Sequence, residues 1–244
     1  FAKFDQKVAA VIMEPVNFVM PKDGFLEEVK ALAQKHGAVL IFDEICTGFH
    51  LGLGGAQKRL GVTPDLACFG KAMGNGYPIS ALVGKKEIMK TCEEIFFSFT
   101  FAGEVGSIAA SLKVIEILEK TDALNNIQSN GSLLQNGIRK MLKKLELENA
   151  ISCVGYPEWS LLQFKDLPNA NSLLVRSLLQ QEMVAKGILM LVTHNMTASH
   201  SENDIENTLD AYQESLEKVA EYLSSSNPSQ FLQGAVIESV FKVR

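Results

Sequence analysis

The chain has little of what would tie it to a membrane, a nucleic acid or a disulfide framework. No apolar run reaches the ~18 residues that span a bilayer, and nothing resembles a signal peptide. Lysine and arginine total 23 against 28 acidic residues, a net charge of −5 with no long basic run. That balance argues against a nucleic-acid surface. The four cysteines, Cys46, Cys68, Cys92 and Cys153, include no C-x-x-C pair. Reduced, buried, cytoplasmic thiols are therefore expected. Histidine is scarce and scattered at His36, His50, His194 and His200. Asp43, Glu44 and His50 lack a second histidine at ligand spacing, so they make a poor metal set. A starting methionine is missing too: Phe1 leads almost directly into an apolar run, as expected of the C-terminal part of a longer protein.

What is present is an α/β pattern. Val8–Met13, Ala38–Ile45, Asp65–Gly70, Ile79–Val83 and Ile95–Phe99 read as strands, and Asp23–His36 as a helix that Gly37 stops. Near-continuous apolar strands separated by a helix predict a mostly parallel sheet sandwiched by helices. The character changes after about Gly106. Val105–Lys120 reads as helical. Apolar residues at 124, 127, 134, 138, 141 and 145 then make one long amphipathic helix. Ile151–Phe164 alternates as strands do, Asn171–Lys186 is helical, and Ser201 with Asp204 forms a capping pair for a last long helix. Ser224–Ser229 reads as a polar linker and Val236–Val243 as a short returning strand. The expected division is residues 1–120, part of a large domain, and 121–244, a linking helix with a smaller α+β domain.

Lys71 carries the chemical signal. It follows a short apolar strand and is crowded by Gly70, Gly74, Gly76 and Pro78. Asp43 ends another strand 28 residues earlier. In parallel sheets ligands collect at the carboxyl ends of strands, where Asp43, Lys71 and Thr100 are expected. A lysine and a carboxylate so placed suit pyridoxal-phosphate chemistry: an imine-forming amine, and an acid that keeps the pyridine nitrogen protonated. Burial would disfavour the ammonium form of such a lysine. The plainer reading is a buried Asp43–Lys71 ion pair. Two other motifs fail. The lysine lacks the following Ser/Thr and the upstream glycine of a P-loop, and Gly74-x-Gly76 lacks the third glycine of a dinucleotide fingerprint.

Several ordered motifs resemble the class III aminotransferases. They are Met13-Glu14-Pro15, Phe42-Asp43-Glu44-Ile45-Cys46-Thr47-Gly48-Phe49, Leu53-Gly54-Gly55-Ala56-Gln57, Pro64-Asp65 through Lys71 to Pro78, and Phe97-Ser98-Phe99-Thr100-Phe101-Ala102-Gly103. The branch most similar is that of glutamate-1-semialdehyde aminomutase. The resemblance implies a fold type I enzyme using pyridoxal 5'-phosphate. Lys71 would be its Schiff-base lysine and proton carrier, and Asp43 the partner of the pyridinium nitrogen. Ile45 would support one ring face, and Glu14 would lie near the site. Thr100 would bind the cofactor phosphate of a neighbouring subunit, which implies a homodimer with shared active sites.

Substrates would be a small-molecule amino donor and a carbonyl acceptor. The main phosphate loop and the second ring-stacking aromatic of the family lie upstream of this chain. His50 stands where an arginine is usual, and Glu104 where an asparagine is. The short segment between Val83 and Thr100 favours an aminotransferase that releases its product over a 2,1-aminomutase. The wording of residues 96–104 is similar to relatives of cell-surface sugar and polysaccharide biosynthesis. The remaining alternative is a truncated chain without activity of its own.

Overall fold

The structure, a computed structural model, describes residues 1–4, 7–96 and 98–238. Its contacts divide the chain into two compact units, Phe1–Leu124 and Asn125–Arg244.

The first unit is built on four strands: β1 (Ala10–Met13), β2 (Val39–Asp43), β3 (Leu66–Phe69) and β4 (Ala81–Gly84), adjacent in that order. β1, β2 and β3 run parallel and β4 closes antiparallel. This is the mostly parallel sheet that the apolar runs predict. α1 (Phe25–Lys35) crosses between β1 and β2. It buries Leu26 and Ala33 against Leu40 and Phe42, which point to one face of β2 because strand side chains alternate. Gly24 starts α1 with φ +80°, and Gly37 turns out of it with φ +68°.

Further along are α2 (Gly55–Leu60), the short α3 (Lys86–Met89) and α4 (Val105–Lys120). Asp65, just ahead of β3, is buried. Burial alone would raise its pKa, but the Lys85 ammonium at 2.7 Å and the Leu40 N–H at 2.8 Å more than offset this and hold the carboxyl below its ordinary range. Asp65 thus staples β2 and β4 to the start of β3.

The second unit holds α5 (Ala123–Lys144), the antiparallel strands β5 (Ile151–Gly155), β6 (Trp159–Phe164) and β7 (Thr193–Asn195), α6 (Ser172–Ala185) and α7 (Glu202–Ser224). Ile138, Leu142, Ile151, Val175, Leu178, Met183, Leu216 and Val219 fill one continuous core. Asn171 caps α6 through Leu174 N–H at 2.9 Å, and Ser201 with Asp204 completes a capping box on α7.

Three expectations are corrected. Among the described residues of the run 95–99 none is in a strand, and Phe97 lies outside them. Aromatic content favours a strand only where a partner edge completes the ladder, and Phe96 is 95% exposed. Ser224–Ser229 is not simply a linker: α7 runs to Ser224, and Pro228 opens a 3-10 turn over Pro228–Phe231. Of the expected strand Val236–Val243, residues 236–238 form none and the rest lies outside the described residues.

Candidate active site

β1, β2 and β3 end side by side, since Met13 pairs with Phe42 and Asp43 with Cys68. Glu14, Asp43 and the Gly70–Lys71 turn therefore share one edge of the sheet, the edge where parallel α/β sheets bind ligands. Lys71 opens a 3-10 turn (Lys71–Met73) with φ +45°, left-handed for a residue with a Cβ. Its carbonyl accepts from Gly74 N–H and Asn75 N–H, both at 3.1 Å, which keeps the turn closed. α4 packs against this turn.

Lys71 is exposed, so the burial expected of it is absent. The turn lifts the side chain off the strand before the sheet can cover it. Nor does it pair with Asp43: Lys71 Nζ donates to Cys46 Sγ, and Asp43 Oδ1 accepts from Ile45 N–H at 3.0 Å. The plain ion-pair reading is thereby corrected. Burial and then the neighbouring Asp43 carboxylate push the Cys68 thiol up. Of the four free cysteines only Cys153 is buried, again unlike the expectation for the set.

The loop after β2 is fixed by a residue whose role sequence reasoning missed. Glu44 is fully buried, and its carboxylate accepts from Thr47 Oγ1 at 2.5 Å and from Ala56 N–H and Gln57 N–H at 2.8 Å. It thereby satisfies the first amides of α2. Its own N–H donates to Cys68 O at 2.9 Å, tying the loop to β3. The sequence signal was Gly54-Gly55. A Cβ on Gly55 would lie 2.5 Å from Glu44 Oε2, so glycine makes room for the carboxylate. Gly48 plays the same part toward Phe69, whose ring atom would lie 2.4 Å from an added Cβ.

Ile45 follows from this knot and lies over Gly70, its Cγ2 3.8 Å from where a Cβ would be. Glu14 accepts from Asn17 Nδ2 just past β1. Thr100 stands apart in an exposed turn ahead of α4. Glu104, the departure noted above, caps α4 by accepting from Gly106 N–H and Ser107 N–H. The structure thus brings together Lys71, Ile45 and Asp43, with Glu14 on the same edge, and leaves Thr100 outside that group.

Comparison with known proteins identifies the family. Residues 1–201 match the family described as aminotransferase class-III. A 3-aminobutyryl-CoA aminotransferase of Cloacimonas acidaminovorans is 35% identical over 225 residues, 88% of this chain and 54% of that protein. A glutamate-1-semialdehyde 2,1-aminomutase of Methanothrix thermoacetophila is 37% identical over 225 residues, 85% of this chain and 52% of that one. The chain spans about half the length of these curated relatives. In fold it is similar to the FumI protein of Sphingopyxis sp. MTA144, solved in its PLP internal aldimine form, with a TM-score of 0.83 at 24% identity over 96% of this chain and 57% of that one. It is also similar to an omega-transaminase of Sphaerobacter thermophilus, with a TM-score of 0.77 at 21% identity over 89% and 54% of the two chains. With a family match across four-fifths of its length, the chain belongs to the class III aminotransferases.

Proposed function

We propose that this chain is part of a pyridoxal-phosphate-dependent aminotransferase and carries its reactive lysine. The observation that supports this best is the placement of the Lys71 amine, exposed at the carboxyl edge of the sheet, with no carboxylate partner among the described residues and against the Asp43–Cys46 loop. When bound, the cofactor supplies an aldehyde that condenses with amines and a pyridine ring that takes up electrons.

The residues fit that chemistry. Lys71 Nζ is the amine for the aldehyde carbon and, once released, the base that carries a proton to or from substrate carbon. Asp43 is the carboxylate for the pyridine nitrogen. Ile45, held by the Glu44 knot, offers a branched apolar surface to a flat ring. Glu14 borders the same edge. Thr100 supplies a hydroxyl for phosphate in a partner's site, within a homodimer. An exposed α4 stripe of Val105, Ile108 and Leu112 supports that assembly. The free thiols are in keeping with a cytoplasmic setting.

The test is the visible absorbance of the full-length protein mixed with pyridoxal phosphate. An imine band that vanishes in Lys71→Ala is the expected result; a full-length protein without the band would end the reading. Bleaching by 3-aminobutyryl-CoA, by glutamate 1-semialdehyde or by amino sugars then sorts the donors. The identity to aminomutases favours a second reading, an isomerase. Release of a keto product to solvent separates a transaminase from it.

A further inference from the structure

Asp43 ends β2, and its carboxylate turns about χ2, a torsion that for aspartate has no sharp wells. One bond narrows that torsion: Oδ1 accepts from Ile45 N–H at 3.0 Å. Oδ2 has no hydrogen-bond donor among the described residues and is the oxygen left for a ring nitrogen. Its direction therefore depends on where the Ile45 amide stands.

Glu44 sets that place. Its carbonyl and the Ile45 N–H belong to one planar peptide unit, so holding the carbonyl aims the N–H at the opposite end. Gly48 N–H holds the carbonyl at 2.7 Å, and Glu44 N–H donates to Cys68 O at 2.9 Å. The buried carboxylate of Glu44 takes Thr47 Oγ1 and Ala56 N–H on Oε2 and Gln57 N–H on Oε1. Backbone and side chain of one residue are thus tied to β3, to the turn after it and to α2.

We propose that Glu44 is a positioning residue for Asp43, acting through the Ile45 amide. It holds the peptide whose N–H orients the Asp43 carboxylate, and so aims Oδ2 at the pyridine nitrogen. This rests on the reading of Asp43 as the cofactor's carboxylate and deepens it. Glutamine in place of Glu44 keeps the volume and loses the fit. A backbone N–H approaches each oxygen, so either orientation of the amide sets its NH2 against a donor. The loop relieves that clash by shifting, and the Ile45 amide shifts with it.

In the experiment, full-length protein is loaded with pyridoxal phosphate isotopically labelled at the ring nitrogen. The NMR shift of that nitrogen, which reports its proton, is followed as pH rises, with thermal unfolding recorded beside it. Wild type, Glu44→Gln and Asp65→Asn are compared, since Asp65 staples the same sheet at the other end of β3. A well-aimed carboxylate raises the pKa of the ring nitrogen, so Glu44→Gln is expected to lose the ring proton at a pH about one unit lower. Asp65→Asn is expected to lower the unfolding midpoint and leave the ring titration in place. A Glu44→Gln protein that titrates with wild type overturns the proposal, however much stability it has lost. So does an Asp65→Asn protein whose ring titration moves as far, because general loosening would then account for both. If Glu44→Gln does not fold, Thr47→Val removes one bond to the carboxylate without a donor clash. A smaller shift in the same direction then supports the proposal, and no shift overturns it. A wild type without an imine band, or a ring proton indifferent to Asp43→Ala, defeats the reading of the site itself, so the two failures are distinct.

Discussion

Gly55 and His194 are the residues at which a small change is expected to have a large effect. Gly55 has φ +66°, and an added Cβ would meet Glu44 Oε2 at 2.5 Å. Gly55→Ala therefore combines a left-handed penalty of about 1 kcal/mol with displacement of a buried carboxylate that satisfies two amides and a hydroxyl. A loss of about 2–4 kcal/mol is expected in denaturant unfolding of the first unit. The imine band should weaken with it, since Ile45 and Cys46 hang from the same knot. An unchanged unfolding midpoint would show that the loop can give way cheaply.

His194 is enclosed in the second unit. Its Nδ1 contacts Ser160 Oγ at 2.8 Å and its Nε2 contacts Tyr212 OH at 2.6 Å, while Tyr212 OH donates to Met190 Sδ at 3.4 Å. A neutral imidazole offers one N–H and one acceptor nitrogen, so both ring nitrogens are satisfied without a charge. Burial lowers the pKa from 6.5 to about 4. The folded state binds fewer protons than the unfolded state between those values. Its contribution is thus complete above pH 6.5 and is lost as pH falls toward 4, by about 3 kcal/mol at most. Urea midpoints of wild type are expected to fall more steeply from pH 7 to pH 4.5 than those of His194→Gln. Parallel pH slopes would mean that the histidine is solvated in the folded state.

At the scale of elements, the helix α5 separates propensity from packing. Alanine in place of a helical glycine ordinarily gains about 1 kcal/mol. At Gly131 the new Cβ would lie 1.9 Å from Pro157 O, a backbone atom that cannot step aside; at Gly137 it would meet the flexible end of Leu209 at 2.4 Å. Gly131→Ala is therefore expected to destabilise the second unit by about 2–3 kcal/mol, as overpacking does, and Gly137→Ala by less than about 1 kcal/mol. Thermal midpoints of the two variants, ranked the other way, would refute the close approach. Ser201→Ala should cost about 1 kcal/mol by removing half of the capping box on α7.

These helices were legible in the sequence because stop and start signals agree with their apolar period: α4 over Val105–Lys120, α6 behind Asn171, and α7 behind Ser201. α2 was not legible, since it begins on Gly54-Gly55 and its first amides are satisfied by Glu44, a side chain from the loop after β2. β7 was hidden because Thr193–Asn195 is polar and is a strand only through β6. In the candidate site, strand ends and glycines located Lys71 and Asp43. The contact with Cys46 depends on a turn geometry that no periodicity encodes.

At the scale of the whole molecule, the first unit leaves apolar surface uncovered along one stretch of chain. Val105 is 75% and Leu112 63% exposed, with Ile108 between them on the same α4 face at helical spacing, and Phe96, Phe99 and Phe101 are exposed just ahead. In a two-fold dimer such a stripe is used twice, so each substitution counts twice. Ile108→Asp with Leu112→Asp places four carboxylates in a dry contact. Both positions are exposed in the chain alone, so the fold itself should tolerate the change. If the full-length wild type is the proposed homodimer, the variant is expected to sediment as a monomer at concentrations where wild type is paired, with a dissociation constant raised at least about a hundredfold, roughly 3 kcal/mol. If Thr100 serves the partner's phosphate, the monomer should also bind pyridoxal phosphate more weakly while Lys71 remains intact. A monomeric variant with an undiminished imine band would remove Thr100 from the site, and an undissociated one would move the dimer contact away from α4.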